Sequence, residues 1–321
     1  MLSADVTVDR RDFPVRAVLR VADGERVALF GPSGAGKTTV LEAIAGLVPV
    51  RAGQVEVNGR ALTSTAPPPA DVPPWRRRVG LLRQDPGLFP HLSVRANLQY
   101  ARSARSGELD SLARVLGIDG LLGEMPARLS GGQRHRVALG RLLLAHCDVL
   151  LLDEPFASLD ATLRRTLTAL VASLAAQRAI PSVLVTHQLS DAQAFADRLA
   201  VIDRGLVLQE GAPDQVVLRP GTRRVAELVG YLGFVPGPAP AGVVAGIHPD
   251  RVIPGQHPDR GLVLNGTVTG ARPSGAGWEA DLLIGETAIT CRLPARPDGA
   301  SLSVTALDPP LFGPDGATVG G

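Results

Sequence analysis

Apolar and polar positions alternate through residues 4–21, with Val6 and Val8, then Val15, Ala17, Leu19 and Val21, at every second place. That is the period of strands with one buried face. Asp23-Gly24 supplies a turn, and the short apolar run 27–30 reads as a buried strand. A Gly-rich loop follows, and residues 38–45 have the composition of a helix that ends at Gly46. Residues 63–74 carry five prolines and read as a surface loop before a strand resumes over 79–82. From Gln84 to about Ala145 the pattern is mostly helical, with Ser93, Ser111 and Ser130 as helix starts. Residues 149–152 form an apolar run of strand length. The helix after them repeats Leu163, Leu167, Leu170, Val171 and Leu174, and two more buried strands fall at 183–185 and 199–202. Strands alternating with helices predict an α/β fold, a mostly parallel sheet with helices on its faces.

The pattern changes after residue 230. A linker over 230–242 holds Pro236, Pro238 and Pro240, and beyond it short strand-like runs are split by glycine and proline. The expected organisation is a first domain over 1–235, with a helical insert at about 84–145, a small all-β module over 243–307, and a flexible tail over 308–321. No internal repeat is apparent.

Charge and composition then exclude several classes. With 33 Lys plus Arg against 31 Asp plus Glu, the net charge of +2 does not advertise a nucleic-acid partner. The most apolar stretch, 137–152, is interrupted by Arg141, His146 and Asp148 and reads as core, not as a membrane span. The first residues reach Asp5, Asp9, Arg10 and Arg11 with no apolar core, so no secretory signal and a cytoplasmic setting are expected. Cys147 and Cys291 lie far apart without metal-ligand spacing, which fits buried thiols in a reduced compartment. One count carries more than these averages: Lys37 is the only lysine. Arginine suffices wherever a cation is merely solvated or paired, so a lone lysine marks a place that needs a compact point charge.

Lys37 sits in Gly31-Pro32-Ser33-Gly34-Ala35-Gly36-Lys37-Thr38, followed by Thr39. This fits the phosphate-binding loop of P-loop NTPases. Its glycines let consecutive N–H groups point at phosphate oxygens, the next helix presents its positive end, the lysine reaches the outer phosphates and the threonine hydroxyl holds Mg²⁺. Residues 149–154 form an apolar strand ending in Asp153 and Glu154. An isolated Asp-Glu pair is usually a solvated turn. Beside a P-loop, Asp153 is assigned to the Mg²⁺ shell and Glu154 to the attacking water. Leu129-Ser130-Gly131-Gly132-Gln133 opens a helix in which Ser130 is a cap and the two glycines leave N–H groups bare for an anion.

LSGGQ between a P-loop and an Asp-Glu strand end resembles the signature of ABC ATPases. The resemblance covers residues 1 to about 235. It implies ATP and Mg²⁺ as ligands and a head-to-tail homodimer, with each ATP between one P-loop and the partner's LSGGQ. It also implies roles for single residues: Gln84 as the Q-loop glutamine at Mg²⁺ and water, Ser158-Leu159-Asp160 as the D-loop, and His187 as the switch histidine at the γ-phosphate. Arg77-Arg78-Val79-Gly80, Gln84-Asp85, Leu88-Phe89-Pro90-His91 and Val94-Arg95-Ala96-Asn97-Leu98 resemble, more narrowly, the ATPase subunits of molybdate importers. In those proteins the C-terminal module is oligonucleotide-binding-like. Three positions depart from the pattern: Arg83 precedes the glutamine, His135 follows the signature, and the only aromatic before the P-loop that could stack on adenine, apart from Phe30 in the buried strand, is Phe13.

The resemblance implies an ATP-hydrolysing subunit bound to the cytoplasmic face of an integral-membrane permease. An extracytoplasmic solute-binding protein is an indirect partner, and an oxyanion such as molybdate is the solute. The alternative is a soluble ABC ATPase that acts as a switch on nucleic acid or ribosomes. In the β module, Arg272, Ser274 and Gly275 to Gly277 offer either an anion site or a turn that closes a hairpin, the turn being the simpler outcome.

Overall fold

In a computed structural model, residues 1–100, 106–157, 159–238 and 242–319 are described. The chain divides into two compact units, Met1–Pro213 and Asp214–Gly321.

The first unit opens with β1 (Leu2–Val8) and β2 (Val15–Val21), whose alternating residues are buried, and which pair antiparallel from Leu2↔Val21 to Val8↔Val15. Next come β3 (Arg26–Phe30), α1 (Lys37–Ala45), β4 (Ala52–Val57), β5 (Arg60–Ser64), β6 (Ala70–Asp71) and β7 (Val79–Leu82). The helical stretch holds α2 (Val94–Gln99), α3 (Ser106–Val115) and α4 (Gly131–Leu144). Then follow β8 (Val149–Asp153), α5 (Ala161–Gln177), β9 (Ser182–Thr186), α6 (Leu189–Phe195), β10 (Arg198–Asp203) and β11 (Leu206–Gly211).

These strands make one sheet in the order β6-β5-β4-β1-β2-β11-β10-β3-β9-β8-β7. Only β10-β3-β9-β8-β7 is a continuous parallel run; β11 meets β2 in parallel at Leu206↔Arg16, and the remaining pairings are antiparallel. The sheet is therefore mixed instead of mostly parallel, because the alternating β1 and β2 are joined by a short turn that only antiparallel neighbours permit. Strand period sorts the core. Val149 and Leu151 of β8 join the cluster around α1, while Leu150 and Leu152 join the one under the helical stretch. Both faces of β8 and β9 are buried, as strands covered on two sides must be.

Ser93 and Ser130 cap helices as the sequence predicts. Ser111 does not: it lies inside α3, whose acidic first turn, at Glu108, comes earlier. The proline-rich stretch also contributes the end of β5 and all of β6. The far end of α1 is fixed by Arg77, a fully buried arginine that donates to the carbonyls of Ile44 (3.0 Å), Ala43 (3.4 Å) and Val72 (2.6 Å). A guanidinium on the last carbonyls of a helix meets its negative end, so α1, and with it the loop at its start, is held from behind.

The second unit begins earlier than residue 243. It contains α7 (Pro213–Leu218, entering from the first unit), α8 (Arg223–Leu228), β12 (Gly233–Pro236), β13 (Val244–Ile247), β14 (Val252–Pro254), β15 (Gly261–Ser274), β16 (Gly277–Ile284), β17 (Thr287–Leu293), β18 (Ser301–Leu307) and β19 (Leu311–Phe312). Two sheets result, β12-β13-β19 and β14-β18-β15-β16-β17. Part of the 230–242 linker is thus the strand β12, and the 308–321 tail supplies β19, with Phe312 fully buried. Both corrections share a cause: glycine and proline mark turns in sequence, but edge strands accept them.

Candidate active site

The loop 31–36 leaves β3 and enters α1 through Gly36, whose φ of 103° is open to glycine alone. A Cβ there would also lie 2.6 Å from Val15 Cγ2, and one on Gly31 would lie 2.0 Å from the Ile202 carbonyl oxygen. The loop must approach β2 and β10 this closely, so these two glycines are steric requirements.

Lys37 is only 6% exposed, and its Nζ donates to the carbonyls of Gly31 and Pro32, both at 2.9 Å. Burial pushes its pKa down, opposed by the charges of Glu154 and Asp153. Thr38 Oγ1 donates to Asp153 Oδ2 at 2.9 Å. Burial pushes the Asp153 carboxyl above the ordinary range, while the Thr38 hydrogen bond and Lys37 hold it down. The next residue, Glu154, sits at φ 48°, a strained position for a non-glycine residue, and its N–H is fixed on the Val185 carbonyl at 3.0 Å. That twist brings Glu154 Oε1 within 2.9 Å of His187 Nδ1.

Five predicted residues therefore converge: Lys37, Thr38, Asp153, Glu154 and His187. A hydroxyl beside a carboxylate is the hard oxygen pair that suits Mg²⁺, and a carboxylate held by an imidazole suits a general base.

Other predicted residues lie apart from this cluster. Gln84 is exposed just beyond β7, and among the described residues no hydrogen bond joins it to Thr38 or Asp153. Its unusual neighbour Arg83 pairs with Glu42 of α1 at 3.0 Å. Ser130 and Gln133 bond each other in a reciprocal cap, Ser130 N–H to Gln133 Oε1 at 2.7 Å and Gln133 N–H to Ser130 Oγ at 3.2 Å, which leaves Gly131 and Gly132 on the first turn of α4. Asp160 caps α5 by accepting from the N–H groups of Leu163 and Thr162, and these bonds hold its pKa down. Ser158 lies outside the described residues. Thr39 is buried and accepts a hydrogen bond from Arg10. Ser33 and Gly34 are exposed at the loop crest.

Two arginines escape sequence reasoning. Arg141 of α4 donates to the carbonyls of Pro86 (3.3 Å) and Gly87 (2.9 Å), tying the segment after Gln84 to the signature helix. Arg164 of α5 donates to the Leu159 carbonyl at 3.2 Å and to the Gln188 side chain beside His187. In a chain that takes nearly all its positive charge from arginine, no single arginine stands out.

In the second unit the anion alternative loses its cation. Arg272 is bonded to Asp281 (2.8 Å) and Glu279 (2.9 Å), and Ser274↔Gly277 closes the β15–β16 hairpin.

The comparisons with known proteins agree with the first unit. The family model for ABC transporter matches residues 16–157. The thiamine import ATP-binding protein of Salmonella choleraesuis is 38% identical over 220 residues, 66% of this chain and 91% of that protein. This chain belongs to the ABC transporter ATP-binding family. The molybdenum import ATP-binding protein of Mesorhizobium japonicum is 41% identical over 225 residues, 68% of this chain and 60% of that protein. The sn-glycerol-3-phosphate import ATP-binding protein of Chromohalobacter salexigens is 40% identical over 235 residues, 70% of this chain and 62% of that protein. The chain thus spans about three fifths of the length of these last two relatives. A dimeric post-hydrolysis structure of the ATP-binding cassette MJ0796 bound to ADP and Pi aligns with a TM-score of 0.57 and 26% identity, covering 66% of this chain and 99% of that one. The relatives carry names of import proteins for solutes as different as thiamine and glycerol phosphate, so the match gives the family and not a solute.

Proposed function

We propose that this chain is the ATP-hydrolysing subunit of an importer, acting as a homodimer on the cytoplasmic face of a membrane permease that receives its solute from an extracytoplasmic binding protein. The observation that carries the reading is the joining of Lys37, Thr38 and Asp153 to the Glu154–His187 pair at the mouth of one glycine loop. Among the described residues no helix is long and apolar enough to cross a membrane, which is in keeping with a separate permease.

The reaction is ATP plus water to ADP plus phosphate. Water attacks the γ-phosphorus, the bond to the ADP oxygen breaks, and the water proton passes to Glu154, whose carboxylate His187 holds through Nδ1. Lys37 exchanges the carbonyls of Gly31 and Pro32 for phosphate oxygens, and the loop N–H groups meet the charge that develops. Thr38, Asp153 and Gln84 would hold Mg²⁺, which when bound neutralises phosphate charge. Ser130 to Gln133 serve the partner protomer's nucleotide, the reciprocal cap of Ser130 and Gln133 holding the first turn of α4 in place for it.

For the solute we favour an oxyanion such as molybdate, on the strength of the molybdenum import relatives. Phosphate release by the purified chain with Mg-ATP, and uptake of labelled molybdate, sulfate and thiamine by cells carrying the chain with its permease, test the two parts. No phosphate release refutes the motor. Uptake of thiamine alone refutes the oxyanion.

A further inference from the structure

Two neighbouring hydroxyls at the start of α1 are bonded in opposite directions. Thr38 donates to Asp153 at the tip of β8, while Thr39 accepts from the guanidinium of Arg10, which comes from the turn between β1 and β2. In the sheet order, β8 lies on one side of β3, and β2 and β1 lie on the other. The reacting end of a nucleotide belongs with Lys37, Asp153 and Glu154. Its inner phosphate and nucleoside must therefore extend past Thr39 toward Arg10.

The surroundings of Arg10 suit such a ligand. Among the described residues it pairs with no carboxylate, since the adjacent Asp9 is bonded to Arg51 at 3.1 Å. It borders an open cavity of about 380 Å³ lined also by Thr39, Val8, Val50, Arg51 and two carboxylates, Asp9 and Glu42, which are paired with Arg51 and Arg83. The one aromatic ring of the turn, Phe13, packs on the core, and its Cδ2 lies 2.9 Å from where a Cβ on Gly205 would sit. The turn thus presents a cation whose bond is to a neutral hydroxyl, beside space for a ligand.

We propose that Arg10 is a nucleotide ligand that binds the phosphate nearest the ribose, a second cation at the opposite end of the site from Lys37. The proposal rests on the P-loop reading above. A planar guanidinium forms paired hydrogen bonds to phosphate, and the bond to Thr39 holds it ready. Because this phosphate does not react, the contact is equal in ground and transition states and acts on affinity.

The test is calorimetry of the full chain with Mg-ATP, ADP and AMP. Arg10→Ala should weaken all three by about tenfold to hundredfold, the worth of a charge-assisted hydrogen bond. Arg10→Lys should fall between that variant and the wild type. Lys37→Ala should weaken ATP and ADP but spare AMP, which lacks the outer phosphates. Affinities within twofold of wild type in Arg10→Ala, while Lys37→Ala loses ATP, would overturn the role of Arg10 and leave the P-loop reading standing. Failure of the wild type to bind any of the three would overturn both. Loss of AMP binding in Lys37→Ala with none in Arg10→Ala would reverse the assignment of the two ends.

Discussion

Replacing Glu154 by Gln separates chemistry from positioning. The amide keeps the length of the side chain and can still accept from His187 Nδ1, now 2.9 Å from Oε1. What changes there is a charged acceptor for a neutral one, a difference of about 1 kcal/mol, or about fivefold if all of it were felt in the rate. The φ of 48° is unaffected, since neither residue is better suited to it. Loss of a general base removes about 10²- to 10⁴-fold, or about 2.7–5.4 kcal/mol of barrier. The two contributions are far enough apart to be told from each other. Steady-state phosphate release should fall at least a hundredfold with the dissociation constant for ATP within about threefold, and size-exclusion chromatography in Mg-ATP should show an accumulated dimer. His187→Ala should also lose turnover while binding nucleotide. The double variant should be no slower than the worse single one, because two groups acting as one pair are not additive. Turnover of Glu154→Gln within tenfold of wild type would mean that the carboxylate only positions the histidine, and the base would have to be sought elsewhere.

Other outcomes follow from the same geometry. Lys37→Arg keeps the charge but puts a wide fork where a 6% exposed ammonium sits between two carbonyls, so ATP affinity measured by calorimetry should fall at least a hundredfold; a fall under tenfold would remove Lys37 from the site. Asp153→Asn should abolish turnover yet raise the melting temperature by a few degrees at pH 7–8. Burial raises the folded-state pKa of this carboxyl, so its ionised form opposes folding above that pKa and the penalty vanishes as pH falls below the unfolded value; scanning calorimetry should show the gain shrinking toward pH 4, and a gain that grows on acidification would contradict the sign. A chain ending at Pro213 retains every strand of the large sheet and should keep ATP hydrolysis within a few-fold. One ending at residue 235 carries β12 without β13 and exposes Val225, Val229 and Val235, and should melt lower and aggregate; the reverse ranking by differential scanning fluorimetry would refute the division at 213.

Much of the site was legible in the residue order because its chemistry is local. A glycine loop needs its glycines in one stretch, the single lysine announced itself by rarity, and Asp153 and Glu154 had to follow an apolar strand. Helix caps at Ser93 and Ser130 were equally readable, since a cap bonds N–H groups two or three residues away. The backbone twist that turns Glu154 onto His187, 33 residues later, was not legible, because φ at one position is set by the strands on either side. Nor were the partners of Arg10, Arg77, Arg141 and Arg164, whose bonds run to segments distant in sequence. The domain boundary moved for the same reason: Phe312 and β12 are placed by pairing with β13, and glycine and proline content cannot report which distant strand will accept an edge. Sequence alone thus determined which groups the protein offers to the candidate site. Only the tertiary structure decided which of them meet, because contacts across a sheet depend on strand order and register, and neither is written in the local pattern.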